Sequence, residues 1–127
     1  MIQGIGTDIV DVARMSALHD RHGPRLAHRL LTAEEWWDYA RASDKARLLA
    51  KRFAAKEALA KALGTGLRTP VSLANMGVTH DALGRPSFTF SPDLQAWLKT
   101  RRIARVHLSL SDEQHFAVAF VLVEELG

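Results

Sequence analysis

The stretch R-F-A-A-K-E-A-L-A-K-A-L-G-T-G, Arg52 to Gly66, decides the fold and carries the first sign of chemistry. At about 100° per residue, Ala46, Leu49, Ala50, Phe53 and Ala60 line up as one apolar stripe of a helix. Leu48, Ala55, Leu59 and Leu63 form a second stripe on its far side. The pattern predicts a helix opened by Ser43 or Asp44 and stopped by Gly64-Thr65-Gly66. A helix that is apolar on two faces must be buried twice over, and one face is free to meet another subunit. One acid breaks the pattern: Glu57 falls at the centre of the first stripe. Carboxylates are rarely buried unpaired, because lost hydration costs several kcal/mol unless a cation or strong donors replace it. A metal ion would serve, and so would an i,i+4 ion pair to Lys61.

A second acid in a similar setting lies near the N-terminus. In I-Q-G-I-G-T-D-I-V-D the residues alternate as in a strand, placing Ile2, Gly4, Gly6, Asp8 and Val10 on one face. Strand glycines mark places where a ligand or another backbone comes close. Asp8 and Glu57, each on an otherwise apolar face, would together suit one hard divalent cation. Magnesium is typically held by one or two carboxylates, with phosphates and water completing the shell. Asp8 could equally be a satisfied buried acid, or an acid at a strand end beside the turn that Asp11 begins. The G-I-G lacks the third glycine and the helix start of a dinucleotide fingerprint.

Caps and breakers organise the rest. Asp11 can cap a helix that Gly23-Pro24 ends or redirects. Thr32-Ala33-Glu34-Glu35 is a capping box, with Leu31 and Trp36 as its hydrophobic staple. Val71–His80 and Pro86–Phe90, joined by D-A-L-G with Gly84 in the turn, read as a hairpin. Ser91-Pro92 starts a helix reaching Arg101 or Arg102. Val106–Leu110 and Phe116–Val123 form a closing hairpin through S-D-E-Q. Helices and strands fall in separate blocks with short strand connections, which predicts an α+β fold with a largely antiparallel sheet around the long central helix. Trp36, Trp37 and Trp97 are assigned to packing.

With 127 residues and 47% hydrophobic content the chain is expected to form a single domain spanning 1–127. No cysteine is present, which excludes a disulfide framework, a cysteine-type zinc site and a thiol nucleophile. The absence of a leader pattern and of a long apolar run predicts a cytoplasmic protein without membrane contact. The formal charge is +3, a modest excess that favours acidic partners. Arg14, Arg21, Arg25 and Arg29 crowd a segment with His19, His22 and His28. No aromatic residue interleaves with them between Asp11 and Arg29, which argues against nucleic-acid binding.

The opening G-I-G-T-D-I-V-D-V-x-R, the central R-F-A-A-K-E-A-x-x-K-A-x-G-T-G and the closing V-H-L-S-L-S-D-E with F-A-V-A-F-V resemble the holo-acyl-carrier-protein synthases, the short-chain 4′-phosphopantetheinyl transferases. The resemblance spans nearly the whole chain in the right order. It implies transfer of 4′-phosphopantetheine from coenzyme A to a serine of apo acyl carrier protein in fatty acid biosynthesis, releasing adenosine 3′,5′-bisphosphate. It implies Mg²⁺ between Asp8, Glu57 and the coenzyme A pyrophosphate, with Lys61 near the same phosphates. Gly64 and Thr65 would contact coenzyme A through backbone amides, with Arg52, Arg85 and Pro86 as weaker candidates for the nucleotide end and His107 weaker still. Acidic carrier proteins would dock on Arg14, and by position on Arg21, Arg25 and Arg29. A homotrimer with sites between subunits is also implied. One departure stands out: some members carry a histidine after the S-x-S of the closing hairpin, where this chain has Asp112 and Glu113, so no histidine role carries over. A basic nucleic-acid-binding domain or a non-catalytic structural oligomer would leave Asp8 and Glu57 unexplained.

Overall fold

The structure, a computed structural model, describes residues 1–127. Its elements run β1 (Ile2–Asp11), α1 (Val12–His22), α2 (Pro24–Leu30), α3 (Ala33–Arg41), α4 (Lys45–Leu63), β2 (Met76–His80), β3 (Pro86–Phe90), α5 (Pro92–Thr100), β4 (Ile103–Asp112) and β5 (Phe116–Glu125). Every strand pair is antiparallel, as the α+β reading expects. The strands divide into a three-stranded sheet in the order β1-β5-β4 and a separate β2-β3 ribbon.

Helix α4 lies directly on the inner face of the three-stranded sheet. A Cβ at Gly4 would stand 2.0 Å from the Ala62 carbonyl oxygen, and one at Gly6 would stand 2.0 Å from that of Ala58. These strand glycines therefore admit a helix backbone rather than a ligand. Ala54, Ala58 and Ala62 on the helix and Ala119 and Val121 on β5 complete a seam of small buried side chains. The second stripe is covered too: Ala55, Leu59 and Leu63 pack with Val71, Met76, Val78, Leu94 and Leu98. Toward its N-terminus α4 gives Leu49 and Ala50 to a cluster with Val12, Met15, Ala27, Leu30, Leu31 and Tyr39 from α1–α3. Each fully buried Leu of this kind contributes about 1.5–3 kcal/mol relative to exposure. Both faces of α4 are thus buried by the chain's own elements, which corrects the expectation that one face meets another subunit. The apolar surface left open lies on the outer face of the three-stranded sheet, where Ile5, Ile9 and Phe120 are 61%, 62% and 50% exposed.

The caps are as read. Asp11 accepts from Ala13 and Arg14 at the start of α1, Gly23 ends that helix, and Pro24 opens α2. Both arms of the Thr32–Glu35 capping box are made, Asp44 caps α4, and Gly64 closes it at φ 77°. Three boundaries differ. Strand β2 starts at Met76, not Val71, because S-L-A-N lacks alternation and winds instead into a 3₁₀ turn at Leu73–Asn75. Helix α5 stops at Thr100. The closing hairpin is longer at both ends, with only Glu113–His115 between its strands. Trp36 stacks on His28 with ring centroids 4.0 Å apart, and Trp97 packs on the core. Trp37, 71% exposed, does not pack as expected.

Lys56 is fully buried and joins four segments. Its Nζ donates to the Leu30 carbonyl at 2.7 Å, to Glu35 Oε1 at 2.6 Å and to the Leu73 carbonyl at 3.2 Å, so all three ammonium donors are used. Glu35 also accepts from the amides of Thr32 and Val78. Arg52 Nε lies 3.2 Å from Glu35 Oε2, close enough for attraction but not aligned as a hydrogen bond, and Arg52 Nη2 reaches Asp38 at 3.2 Å. Burial pulls the Lys56 pKa below its ordinary value, against the raising effect of Glu35.

Candidate active site

Close seating of α4 on β1 brings the two odd carboxylates together. Asp8 projects from the inner face of β1, paired across the ladder with Ala119, just past the glycines over which α4 crosses. Glu57 projects from α4 into the same cleft, a cavity of about 250 Å³ lined by Asp8, Asp11, Arg14 and Glu57 and walled by Met15, Leu18 and Phe53. The Glu57 carboxyl is pushed above its usual range, first by burial and then by the Asp8 charge, with Lys61 opposing. A carboxyl whose ionisation is opposed by burial and a neighbouring negative charge favours a cation beside it. No group of three or more His, Cys, Asp or Glu donors is present, so the protein alone cannot cage a metal. The donor chemistry fits a magnesium ion that takes one or two carboxylates and draws its remaining ligands from phosphate and water.

Lys61 sits one turn beyond Glu57, yet its ion pair is with Asp8. Its Nζ stands 3.0 Å from Asp8 Oδ1 and 3.0 Å from the Thr7 carbonyl oxygen, and the side chain is half exposed. The helical alternative, a pair with Glu57, is not formed, which leaves Glu57 without an ion-pair partner.

Gly64 and Thr65 follow at the end of α4, but their amides are turned inward. The N–H groups of Gly64, Thr65 and Gly66 all donate to the carbonyls of Ala60 and Lys61. The helix cap uses these donors, whereas the resemblance implies contacts to coenzyme A through accessible backbone amides. What remains is an open surface without side-chain bulk, continuous with a cavity of about 380 Å³ that Arg68 and Trp97 also line.

Other residues singled out from the sequence lie elsewhere in this chain. Arg52 is buried against Glu35 and Asp38. Arg85 and Pro86 end the β2–β3 turn, where Asp81 accepts from the amides of Leu83 and Arg85. His107 lies on β4, 3.6 Å from Glu124. Arg14 lines the cleft itself, whereas Arg21, Arg25 and Arg29 are exposed on α1 and α2, and none of the four is in an ion pair. The apolar cleft wall of Met15 and Leu18 went unread in the sequence, although both recur at helical spacing after Asp11.

The family model of the 4′-phosphopantetheinyl transferase superfamily matches residues 4–121. A holo-[acyl-carrier-protein] synthase from Nitrosospira multiformis is 56% identical over 125 residues, covering 98% of this chain and 100% of that one. The crystal structure of the holo-[acyl-carrier-protein] synthase from Neisseria meningitidis superposes with a TM-score of 0.95 at 50% identity, over 98% of this chain and 100% of that one. A Bacillus anthracis holo-(acyl-carrier-protein) synthase in complex with CoA (3′,5′-ADP) superposes at 0.82 with 35% identity, covering 99% of each chain. With sequence and fold in agreement over its length, the chain belongs to the 4′-phosphopantetheinyl transferase superfamily, as an enzyme of the holo-[acyl-carrier-protein] synthase type.

Proposed function

We propose that this enzyme transfers 4′-phosphopantetheine from coenzyme A to a serine of apo acyl carrier protein, in the cytoplasm and in the service of fatty acid biosynthesis, with Mg²⁺ held by Asp8 and Glu57. The observation that carries the reading is the meeting of Asp8 and Glu57 in one cleft, with Lys61 paired to Asp8. The serine oxygen attacks the β-phosphorus of the pyrophosphate, the bond to the bridging oxygen breaks, and adenosine 3′,5′-bisphosphate leaves. Such transfers depend on positioning and on stabilising charge at the phosphoryl oxygens and the leaving group. A bound Mg²⁺ would supply that stabilisation by polarising phosphoryl oxygens. Lys61, already anchored between Thr7 and Asp8, holds its ammonium where a phosphate can take up its remaining donor. The serine proton passes to a water linked to the metal or to Glu57. Incubation with coenzyme A, Mg²⁺ and apo carrier protein should add one phosphopantetheine to the carrier by mass spectrometry. No mass shift, or an equal shift in EDTA, would overturn the assignment.

The carrier is proposed to approach over α1 and α2, where the unpaired Arg14, Arg21, Arg25 and Arg29 offer an acidic partner a basic face. Exposed charges mainly steer encounter and fix orientation. Arg21→Glu combined with Arg25→Glu should therefore raise the KM for carrier protein by about tenfold and leave coenzyme A affinity unchanged, since each 1.4 kcal/mol is one decade. Salt should act likewise on the wild type, as the Debye length falls to about 3 Å at 1 M. A charge reversal that alters coenzyme A binding instead would place the carrier elsewhere.

Assembly as a homotrimer is proposed through the open sheet face rather than through α4. Ile5, Ile9 and Phe120 form a contiguous apolar surface across β1 and β5, of a kind that marks an interaction site. Sedimentation should give a mass near three chains, and Ile9→Glu with Phe120→Glu should give monomers. A fully active wild-type monomer would refute both the trimer and the shared site.

A further inference from the structure

Arg47, in the first turn of α4, grips the loop of the closing hairpin. Its Nη1 donates to Asp112 Oδ2 at 3.1 Å and to the Glu113 carbonyl at 2.6 Å, and its Nη2 donates to the Gln114 carbonyl at 3.0 Å. Its Nε is held by Asp44 Oδ2 at 3.2 Å, which fixes the guanidinium from the α4 side. Four of the five guanidinium donors are thereby used. Lys51, one turn on, adds a contact of 3.5 Å to Asp112 Oδ1. Asp112, directly after the S-L-S of the closing hairpin, is the acid that closes this basic clamp.

The next residue of the loop reaches α1. The His115 carbonyl accepts from the Val12 amide at 2.9 Å, and Val12 is the first residue of α1. That amide is one of the helix-start donors without an intrahelical partner. Asp11 satisfies the next two, those of Ala13 and Arg14. The start of α1 is therefore set by two devices, its own cap and a carbonyl presented by a loop that Arg47 holds. That first turn and the one after it carry Arg14, Met15 and Leu18, which form one wall of the Asp8–Glu57 cleft.

We propose that Arg47 is a positioning residue for the transfer reaction: by fixing residues 112–114 it presents the His115 carbonyl to α1 and sets the wall of the cleft that faces the carrier protein. The inference rests on the function proposed above. Arg47 touches neither Asp8 nor Glu57, so its loss leaves the carboxylates and Lys61 in place on β1 and α4. A lysine cannot replace it, because an ammonium is a point charge and cannot bridge a carboxylate and two carbonyls as the planar fork does.

The test compares wild type, Arg47→Ala and Arg47→Lys as full chains, by steady-state kinetics and by amide hydrogen exchange. Partial release of the clamp should raise the KM for carrier protein about tenfold or more in Arg47→Ala. The KM for coenzyme A and kcat at saturating carrier should stay near wild type. Exchange at Val12–Leu18 should quicken while α4 beyond Phe53 stays protected, and Arg47→Lys should resemble Arg47→Ala. An unchanged carrier KM, unchanged exchange in α1, or a parallel rise of both KM values with a general loss of protection would overturn the proposal. If wild type itself transferred nothing, the functional reading would fall, and unchanged α1 exchange in Arg47→Ala would still refute the clamp independently.

Discussion

Asp8→Ala and Glu57→Ala are each expected to lower turnover by about 10³-fold or more, with folding cooperativity intact. Each removes a charge from the site proposed to stabilise a phosphoryl-transfer transition state, and about 4 kcal/mol of lost stabilisation corresponds to three decades. Neither should unfold the protein. Asp8 loses an ion pair to a half-exposed Lys61, worth at most about 1 kcal/mol, and Glu57 has no ion pair to lose. Glu57→Gln separates metal binding from bulk. The folded-state pKa of Glu57 lies above its ordinary 4.5, so the folded protein holds that proton more readily than the unfolded chain. Stability from this group therefore falls as pH rises through and above the ordinary glutamate range. Without divalent cations at neutral pH, Glu57→Gln should melt no lower than wild type, and the difference should vanish in acid. Added Mg²⁺ should raise the wild-type Tm and leave that of Glu57→Gln unmoved. Near-wild-type turnover in the alanine variants, or equal Mg²⁺ stabilisation of Glu57→Gln, would remove the carboxylates from the mechanism.

Much of this site was legible because its signals are periodic. Asp8 and Glu57 stand out as acids in apolar registers, and β1 has the predicted faces, but the Ala54, Ala58 and Ala62 face that seats α4 on the sheet lies on neither of its two expected stripes. The caps at Asp11, Thr32, Asp44 and Gly64 are local hydrogen-bond patterns, so they too can be read along the chain. What failed depends on contacts distant in sequence. Lys61 has two acids within reach, and the glycines of β1 decide between them by letting the strand come close enough for Asp8 to take it. The far stripe of α4 looked surplus because its cover, Met76, Val78, Leu94 and Leu98, arrives from segments that follow it. The amides at Gly64–Gly66 looked free because glycine signals both an exposed backbone and a helix stop, and here the stop consumes the donors. Arg52 is charged and precedes the motif's acid by five residues, which says nothing of its burial against Glu35.

Lys56 was the least legible residue, and it sets the other large effect. In A-A-K-E-A a lysine reads as a solvated charge, yet here it is completely buried. Its partners are an acid that also serves as a helix cap and two carbonyls from distant segments, and no pattern announces them. Glu35→Ala would leave Lys56 and Arg52 buried without their shared acid and would orphan the amides of Thr32 and Val78. Breaking a buried pair by removing one partner costs about 3–5 kcal/mol, because the remaining charge has nothing to replace its hydration. At about 4 °C per kcal/mol for a chain of this size, the Tm should fall by more than about 10 °C. Lys56→Met should cost less than Glu35→Ala, since Glu35 keeps Arg52 and two amides while only the Leu30 and Leu73 carbonyls lose a donor. The double variant should cost less than the sum of the two, because once Glu35 is gone the buried ammonium is itself a liability. A urea double-mutant cycle measures that coupling. Additive losses, or a Glu35→Ala cost below about 1 kcal/mol, would mean that the cluster relaxes into water and holds nothing together. Below its lowered Tm, Glu35→Ala should still turn over. The cluster fastens α2, α3 and β2 to α4, whereas Asp8, Glu57 and Lys61 are set by the seating of α4 on β1, which this substitution leaves alone.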